Sequence, residues 1–557
     1  MGTFDELTDN FETWLIENGV IINPKIKIHN FSNIDLGRGL IATDNLESNE
    51  ILFKIPKNII FNMKNNSLIV KYPKLYSKLL NINPWKSLII VLYYEFKNNQ
   101  NSFWFNYLKI LPDSISDFNQ LIFWSPGELK SLRPSCILDR IGYDSATEMY
   151  DKILKIMEEF AIPEFDKDVF TFEKYNIIAT LIQSYSFDLN EEQDDEDENG
   201  DENEEEKEEE ESIKSMIPLA DTLNADTNLN NAKLFNEGKE YLVMKSIKPI
   251  FKDEQIFNTY SDHPNSEILR RYGYVEPQGS KFDFGEIPIS LIKDFFVEKY
   301  DITVEYLNSV FKFIKMICND EEDDDEKIEL ILDTYDCFKN NQVIIELIFL
   351  IQILTIILKI KDEINIEFNQ INKIFKKCYQ LIEMKRITKE FIINFESILQ
   401  KRLDQYPDIA KEPSENSNNI LFDRFKMAEV VLKSEYQSIS NCKNNINKTI
   451  EKVIGDCKVI ADLKLIRSIL KKKIIQDNVD TTDVEIDGIN GNIDGSPGCN
   501  IEGINGKKDG PNGLNLQNGF TNGGLNGYSD GRLIGEANGS IDVQQVIESK
   551  RKRRKRR

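Results

Sequence analysis

Hydrophobic and polar positions repeat with a helical period at the start of the chain and form short β-type stretches after it. Residues 4–18 place Phe11, Trp14 and Leu15 on one face, which predicts an amphipathic helix that ends at Gly19. Short stretches bounded by turns predict strands, and the first of them alternates polar and apolar residues. The predicted strands are Lys25–His29, Leu40–Thr43, Glu50–Ile55, Tyr241–Ile247 and Gln255–Tyr260.

Helical spacing dominates three further regions of the chain. Residues 66–160 are rich in it, Ser266–Tyr272 is predicted as a short helix that ends at Gly273, and residues 290–475 are almost purely helical. The apolar run Val343–Ile360 is shorter than the roughly 20 residues that cross a bilayer. It also contains polar side chains, so we predict a buried helix, with a membrane span as the alternative.

The net charge of −25 comes mostly from one segment. Residues Glu191–Glu211 contain sixteen carboxylates and one lysine, and they supply −15 of that charge. A segment with so little apolar surface cannot offset the entropy of ordering, so we predict a disordered acidic loop. It is either a loop insertion or a docking segment for a basic partner. A second acidic run, Asp320–Glu326, is predicted to link two helices.

The end of the chain has a different composition from the rest. Residues 478–541 are rich in Gly and Asn with few bulky side chains, so the tail over 478–557 is predicted to be disordered. It ends in eight consecutive positive charges, Lys550–Arg557. Such a terminus is typical of a nuclear-import signal or of an arm that contacts nucleic acid non-specifically. We therefore predict a nuclear protein, with presence in the cytoplasm also allowed.

The scarcity of cysteine and histidine disfavours most metal and redox chemistries. The seven cysteines are scattered without a CxxC pair, which argues against a zinc cluster or a disulfide framework and fits a reducing compartment. Only His29 and His263 are available as histidine ligands or bases, so no metal site is predicted. The polar, acidic N-terminus lacks the features of a signal or transit peptide. Catalysis is therefore expected from Tyr, Asn, backbone groups or carboxylates.

Three separated segments carry the candidate chemistry. Leu36–Ala42 has two glycines two residues apart, which allow a ligand to approach the backbone closely but are more typical of an ordinary hairpin turn. Met216–Asp226 is an apolar run that ends in Asp-x-x-Asn, a pattern that also occurs in buried turns. Ile256–Tyr274 is rich in tyrosine, and such segments usually belong to a core or an interface.

In this order, the three segments resemble the SET-domain lysine methyltransferases of the Rubisco large-subunit type, and most closely the ribosomal lysine methyltransferase 4 group. The resemblance covers residues 10–280 strongly, with support from Ser102–Tyr107 and Phe123–Leu129, and the region 290–475 matches in length and helical character only. It implies an α+β fold: a SET-domain β-fold of short sheets with a large helical insertion, followed by an all-helical C-terminal domain and a disordered tail. The implied divisions are an N-terminal helix over 1–20, the SET domain over 21–275 with its insertion over about 66–185 and the acidic loop over 191–211, a helical substrate-binding domain over 285–475, and the tail over 478–557.

The resemblance also implies a site. Tyr260 would be the catalytic tyrosine at a methyl-transfer channel, and Tyr272-Gly273-Tyr274 would close the lysine channel and flank the adenine. The implied cofactor is S-adenosyl-L-methionine, and the implied substrate is a lysine of a large-subunit ribosomal protein. The residues implied to contact the cofactor are Leu36, Gly37, Arg38, Ser184, Asp221, Thr222, Leu223, Asn224, Tyr260, Tyr272, Gly273 and Tyr274.

Two positions depart from the family pattern, and neither removes the phenol. Asn224-Ala225 stands where Asn-His is common, which is expected to lower cofactor affinity, and Tyr260-Ser261 stands where Tyr-Gly is common. Methyl transfer from a sulfonium to an amine needs no metal. It does need a neutral amine aligned within about 3–3.5 Å of the methyl group. Tyrosine rings would exclude water from the lysine, which lowers its pKa, and would attract the sulfonium.

We therefore predict a protein-lysine N-methyltransferase that uses S-adenosyl-L-methionine. One alternative is a catalytically weak SET scaffold that recruits nuclear partners through the acidic loop and the basic tail. Another is a methyltransferase that acts on a histone or another nuclear protein, or on another nucleophile such as histidine. The expected partner is a protein substrate; neither a membrane nor a metal is expected, and nucleic acid is expected only as a non-specific contact of the basic tail.

Overall fold

A computed structural model gives the fold of most of the chain, which divides into two compact units. The first unit contains the described residues up to Phe284 and those of Tyr406–Tyr436, and the second contains those of Gly285–Gln405 and of the chain from Gln437. The predicted acidic loop, the acidic run at 320–326 and the tail with its basic terminus lie outside the described residues. The described residues are 3–32, 36–190, 212–238, 240–319, 329–411 and 423–470.

Three small sheets form the β-structure of the first unit. Their strand orders are β1-β4-β10-β9, β2-β3-β11-β8 and β5-β7-β6, and every pairing is antiparallel except the parallel pairing of β11 with β8. The five predicted strands are confirmed as β2, β3, β4, β10 and β11. The strand bounds are β1 Ile21–Ile22, β2 Ile26–Asn30, β3 Arg38–Ala42, β4 Ile51–Pro56, β5 Phe61–Asn62, β6 Ser186–Asn190, β7 Ser212–Met216, β8 Asn224–Ala225, β9 Ala232–Glu237, β10 Tyr241–Ser246 and β11 Gln255–Asn258.

Among the described residues up to Phe284, nine α-helices precede, separate or follow these strands. The helix predicted over residues 4–18 is confirmed as α1, which begins with a Thr3 capping box that satisfies free backbone N–H groups. Phe11, Trp14 and Leu15 are buried, as predicted from their spacing. The helix bounds are α1 Phe4–Glu17, α2 Ser67–Lys71, α3 Tyr76–Leu80, α4 Pro84–Asn98, α5 Phe105–Leu108, α6 Pro126–Lys130, α7 Tyr143–Glu159, α8 Phe172–Tyr185 and α9 Asn265–Tyr272.

A later stretch of the chain completes the core of the first unit. Met427 and Val431 are fully buried in one apolar cluster with Leu121, Trp124 and Leu269. They lie on α15 (Arg424–Asn444), whose residues up to Tyr436 belong to this unit. Within the described residues, the first unit is therefore built from two separate stretches of chain.

The second unit is mainly helical, and it also contains short strands that the helical pattern did not predict. Strands of two to five residues between helices are too short to show a period of their own, so the all-helical prediction was incomplete. The helices are α10 Ile289–Tyr300, α11 Val304–Asn319, α12 Ile345–Lys359, α13 Phe368–Glu383, α14 Lys389–Leu403, α16 Ile446–Ile454 and α17 Asp462–Leu470. The strands are β12 Phe284–Pro288, β13 Thr334–Phe338, β14 Gln342–Val343, β15 Arg386–Thr388 and β16 Lys458–Ile460.

The apolar run near residue 350 forms the central helix of this unit, which confirms the prediction of a buried helix. Almost all of α12 is buried, and its polar side chains have partners. Gln352 donates to Thr388 Oγ1 at 3.1 Å, and Thr355 Oγ1 accepts from Asn394 Nδ2 at 2.8 Å. Satisfied polar groups make such burial tolerable. No helix in the described part of the chain is long and apolar enough to cross a membrane.

Candidate active site

The three segments singled out in the sequence come together at one sheet. Strand β11 lies between β3 and β8, pairing Gln255 with Ile41 on one side and Phe257 with Asn224 on the other. The chain then leaves β11 and reaches Tyr260 two residues later. Segments more than 180 residues apart in the chain therefore meet around this tyrosine.

Three tyrosine rings form the centre of the site. The Tyr260 hydroxyl donates to the backbone carbonyl of Leu223 at 2.7 Å. Its ring centroid lies 5.1 Å from that of Tyr272 and 6.1 Å from that of Tyr274, within the range of attractive aromatic contacts. Burial raises the pKa of all three phenols above the usual value, so they are neutral at physiological pH. The site is consequently an aromatic surface with hydroxyl groups and no phenolate.

A glycine lets two of these rings reach Tyr260. Helix α9 ends at Gly273, whose φ of +75° is a left-handed conformation that other residues adopt only with strain. A Cβ at this position would also lie 2.8 Å from Gln120 Oε1. The reversal at Gly273 brings the rings of Tyr272 and Tyr274 within 6.4 Å of each other.

The carboxyl group of Asp221 is buried beside the tyrosines. It accepts a hydrogen bond from the hydroxyl of Tyr107, which is fully buried on α5. Burial raises the pKa of Asp221 to about 8, against the opposing effect of this bond. Two residues earlier, Leu219 has a φ of +77°, a conformation that is strained for any residue with a Cβ. Asp221 therefore belongs to a tight turn that passes close to Tyr260.

Two buried amide groups near β3 have no acceptor among the described residues. They are Asn224 Nδ2 and Gln255 Nε2, and both approach the same point above Gly39. A Cβ on Gly39 would lie 2.7 Å from the first nitrogen and 2.9 Å from the second. Since buried donors are normally satisfied, either a bound group supplies acceptors here or one amide turns its oxygen toward the other nitrogen.

Two predicted cofactor contacts direct their side chains elsewhere. The Arg38 guanidinium donates to Thr8 Oγ1 at 3.0 Å and to the Phe4 carbonyl at 3.2 Å, so only its backbone is free to meet a ligand. Ser184 Oγ accepts from Gln120 Nε2 at 3.0 Å. This serine therefore contributes to the support of the site through Gln120.

The remaining predicted residues lie next to β3 and in the turn that leads to Leu223. Leu36 and Gly37 precede β3, and Gly37 has a φ of +63° with open space where a Cβ would be. Thr222 is buried in the short 3₁₀ helix Ala220–Thr222, and Leu223 is fully buried with its carbonyl toward Tyr260. These residues offer mainly backbone groups to a ligand.

Sequence reasoning assigned no role to three polar residues of this region. Tyr107 and Gln255 are described above, and Tyr185 is the last residue of α8. Burial raises the pKa of Tyr185, the charge of Asp221 raises it further, and the charge of Arg38 opposes this, which places its phenol among these groups. The resemblance implied a contact for Ser184, the residue directly before Tyr185. The hydrophobic period of the sequence did not indicate a role for Tyr107 or Gln255.

A cluster of four charges stabilises the helix that carries Tyr272. Glu267 is almost completely buried on α9 and forms ion pairs with Arg270 at 2.8 Å, Arg271 at 3.1 Å and Arg140 at 3.3 Å. Burial alone would raise the pKa of Glu267, but the three guanidinium groups outweigh it and hold this pKa far below the usual value. Burial and the charges of Arg271 and Arg270 lower the pKa of His263 to about 4, against the opposing charge of Glu267, so this imidazole is neutral.

The arrangement suits the transfer of a group to a neutral nucleophile. It offers neutral phenols, backbone carbonyls and an aromatic surface that excludes water, and these favour an uncharged amine over an ammonium. Within the described ranges, no group of three or more His, Cys, Asp or Glu side chains is placed to hold a metal ion.

The sequence is similar to known proteins over most of its length. The family model described as SET domain matches residues 37–261. The chain is 38% identical over 494 residues to the Saccharomyces cerevisiae protein named ribosomal lysine N-methyltransferase 4, covering 86% of this chain and 98% of that protein. It is 27% identical over 279 residues to the Rattus norvegicus N-lysine methyltransferase SETD6, covering 49% of this chain and 55% of that protein.

Solved structures show the same fold. The SET domain of LSMT bound to lysine and AdoHcy superposes with a TM-score of 0.54 at 18% identity, covering 83% of this chain and 96% of that chain. Rubisco LSMT bound to AdoMet superposes with a TM-score of 0.53 at 17% identity, covering 82% and 95%. The predicted α+β fold of short sheets with many helices and a helical C-terminal region is thereby confirmed.

Proposed function

The chain belongs to the SET-domain family of protein-lysine N-methyltransferases, and we propose that it transfers methyl groups from S-adenosyl-L-methionine to a lysine of a large-subunit ribosomal protein. The observation that supports this most directly is the position of Tyr260, which lies among Tyr272 and Tyr274 where β3, β8 and β11 converge. The name of the yeast relative, which is similar over almost its whole length, supports a ribosomal substrate.

The residues present fit this cofactor. Its amino, carboxylate and adenine groups require several hydrogen-bond partners, and the unpaired nitrogens of Asn224 and Gln255 are two buried donors above Gly39. We assign the remaining contacts to the backbone of Leu36–Arg38 and of Asp221–Asn224. The cofactor supplies an electrophilic methyl group on a sulfonium, and the tyrosine faces attract such a cation.

The tyrosines prepare the amine. Half-buried rings of Tyr260, Tyr272 and Tyr274 exclude water from an entering lysine, which lowers the pKa of its ammonium and favours the free amine. Since the Tyr260 hydroxyl donates its proton to the Leu223 carbonyl, its oxygen keeps lone pairs that accept from the amine or from polarised methyl hydrogens. Tyr260 thereby orients the nitrogen without changing its own protonation.

Replacing this hydroxyl tests the proposal. Full-length wild type and Tyr260→Phe are incubated with methyl-labelled S-adenosyl-L-methionine and salt-washed large ribosomal subunits, and label is followed by mass spectrometry. We expect labelled lysine with wild type and a loss of about 10²–10³ in turnover with the variant, the size found when one preorganised polar group is removed from an active site. Calorimetry should show cofactor affinity close to that of wild type.

A matched control separates this effect from a general loss of a hydroxyl. Tyr143→Phe also removes one phenol-to-carbonyl hydrogen bond, to Ile122 at 2.6 Å, and should turn over like wild type. Undiminished labelling by Tyr260→Phe would contradict the assigned role of Tyr260. Label on histidine, or on histones but not on ribosomal proteins, would replace the proposed substrate.

Nuclear localisation is part of the proposal and depends on the sequence of residues that lie outside the described ranges. Eight consecutive positive charges at Lys550–Arg557 support nuclear import, and they also allow non-specific contact with nucleic acid. Deletion of these eight residues should shift a fluorescent fusion toward the cytoplasm. An unchanged nuclear signal would refute the import role.

A further inference from the structure

A buried polar pair lies directly behind the turn that contacts Tyr260. Tyr107 comes from α5 and is fully buried, and its ring packs 6.1 Å from that of Phe11. Its hydroxyl donates to Asp221, which is 114 residues later in the chain and only 6% exposed. The pair therefore links the core of the first unit to the 3₁₀ helix Ala220–Thr222.

Asp221 depends on Tyr107 for its side-chain hydrogen bond. Among the described residues, no Lys or Arg forms an ion pair with this carboxyl group, and the nearby guanidinium of Arg38 donates to Thr8, Phe4 and Ile110 instead. A buried carboxyl group that has no cationic partner is stabilised by the hydrogen-bond donors it does contact. Besides its own backbone amide, the Tyr107 hydroxyl is thus the donor among the described residues that fixes where this side chain lies.

The position of Asp221 fixes a strained turn. The Asp221 amide donates to the Ile217 carbonyl at 3.2 Å, and the Thr222 amide donates to the Leu219 carbonyl at 3.2 Å. Leu219, at a φ of +77°, has a backbone conformation that persists only where surrounding contacts determine it. The apolar contacts of Leu219 do not impose one orientation on the turn. The hydrogen bond from Tyr107 to Asp221 is directional and does impose one.

The turn leads straight to the carbonyl that receives the Tyr260 hydroxyl. Leu223 lies two residues after Asp221, and its carbonyl accepts from Tyr260 at 2.7 Å. A shift of the turn would move this acceptor and rotate the phenol that faces the amine. A displacement of about 1 Å at a reacting group can cost on the order of 10²-fold in rate.

We propose that Tyr107 and Asp221 are positioning residues for methyl transfer, which act on Tyr260 through the turn Ile217–Leu223. This role rests on the proposed function, because it concerns the orientation of the phenol toward the methyl acceptor. The pair holds the turn that presents the Leu223 carbonyl, the acceptor of the Tyr260 hydroxyl.

Tyr107→Phe tests this role in the full-length protein. The variant keeps the ring and removes only the hydroxyl. We expect kcat to fall roughly 10–100-fold, while KM for salt-washed large ribosomal subunits changes little. Because the backbone of Asp221–Asn224 is also assigned to the cofactor, KM for S-adenosyl-L-methionine should rise as well, by a smaller factor than kcat falls. Asp221→Asn keeps an oxygen that can accept from Tyr107 and should lose less kcat than Tyr107→Phe.

Tyr150→Phe is the matched control. Tyr150 donates to the Phe170 carbonyl at 2.8 Å in the same unit, and its ring packs against Phe170, Phe172 and Tyr175, not against Tyr260, Tyr272 or Tyr274. We expect it to lower the melting temperature about as much as Tyr107→Phe does, with kcat unchanged. Equal kcat values for the two variants, or a loss in Tyr107→Phe that appears only in KM, would overturn the positioning role.

A second measurement stays informative if the proposed substrate is wrong. Hydrogen exchange of the Asp221 and Thr222 amides is measured in the cofactor-free protein. Faster exchange in Tyr107→Phe than in Tyr150→Phe is expected because the turn loses its polar contact with α5. Identical exchange would overturn the inference, whereas a wild type that labels no ribosomal protein would refute only the proposed substrate.

Discussion

Two buried carboxyl groups in the first unit have opposite surroundings. Asp221 has a phenol as its side-chain partner, and burial raises its pKa to about 8. Glu267 lies among Arg140, Arg270 and Arg271, and despite burial its pKa is far below normal. At neutral pH the first is mostly an uncharged acid beside the reacting groups, and the second is an anion that supports α9. The carboxyl group near Tyr260 is thus neutral, while the carboxylate on α9 is charged and paired with three arginines.

The two groups should respond to pH in opposite directions. The folded state holds a proton on Asp221 between its ordinary pKa of 3.8 and about 8, so its contribution to stability is greatest below that range and is lost as pH rises through it. Glu267 has a lowered folded pKa, so its contribution is present above its ordinary value of 4.5 and is lost as pH falls. Variants at each position can test this contrast.

The largest effect on stability is expected for Glu267→Gln. The change leaves three partly buried guanidinium groups without their anion. Removing one member of a fully buried ion pair costs about 3–5 kcal/mol. We expect a smaller loss of unfolding free energy here, because the three arginines retain some contact with solvent. Chemical denaturation at pH 7 measures the loss. Glu158→Gln, which breaks an exposed pair with Lys167, is the control and should cost under about 0.5 kcal/mol. Equal losses would mean that the buried cluster has no special role.

A smaller effect concerns the pH dependence of Asp221→Asn. Between pH 6 and 8, wild type should lose about 1–2 kcal/mol more unfolding free energy than the variant, because only wild type must release the Asp221 proton. Burial also raises the pKa of Glu276 to about 7, but that residue titrates in both proteins and cancels in the difference. Denaturation curves at several pH values measure it. Parallel pH profiles would show that Asp221 is already ionised at pH 6.

The smallest effect is expected for Gly39→Ala, which tests whether the unpaired amides of Asn224 and Gln255 bind the cofactor. The new Cβ would displace the amide groups of Asn224 and Gln255 and would lie 3.0 Å from the Phe31 ring, so some loss of stability accompanies the change. Calorimetry should show roughly tenfold weaker binding of S-adenosyl-L-methionine, about 1.4 kcal/mol. Gly127→Ala, with no contact closer than 4.0 Å, is the control and should bind like wild type. An unchanged affinity in Gly39→Ala would remove these amides from the cofactor site.

Elements with a clear period could be predicted from the sequence, and the contacts between elements could not. The apolar spacing of α1 and the turn-bounded stretches of β10 and β11 gave their positions to within a few residues. Strands β6 and β7 were missed because they flank the acidic segment, whose composition dominates that region, and pair with each other across it. Local patterns carry no information about such distant pairing.

In the site, too, individual residues could be predicted from the sequence, whereas the contacts between distant residues could not. Tyr260 and Asn224 were named from the order of three segments, and the structure brings them to one sheet. The bond between Tyr107 and Asp221 joins positions 114 residues apart, so no local spacing could indicate it. The direction of the Arg38 side chain also depends on α1, which makes tertiary contacts that a motif does not contain.

The late return of the chain to the first unit has a consequence for its synthesis. Until Met427 and Val431 have been synthesised, Leu121, Trp124 and Leu269 lack two of the residues that they pack against. About 150 residues separate Phe284 from Tyr436, and at typical translation rates they take roughly 8–30 s to make. During that interval the nascent catalytic half should bind chaperones. A fragment that stops at residue 284 should keep this apolar surface exposed and should continue to bind chaperones.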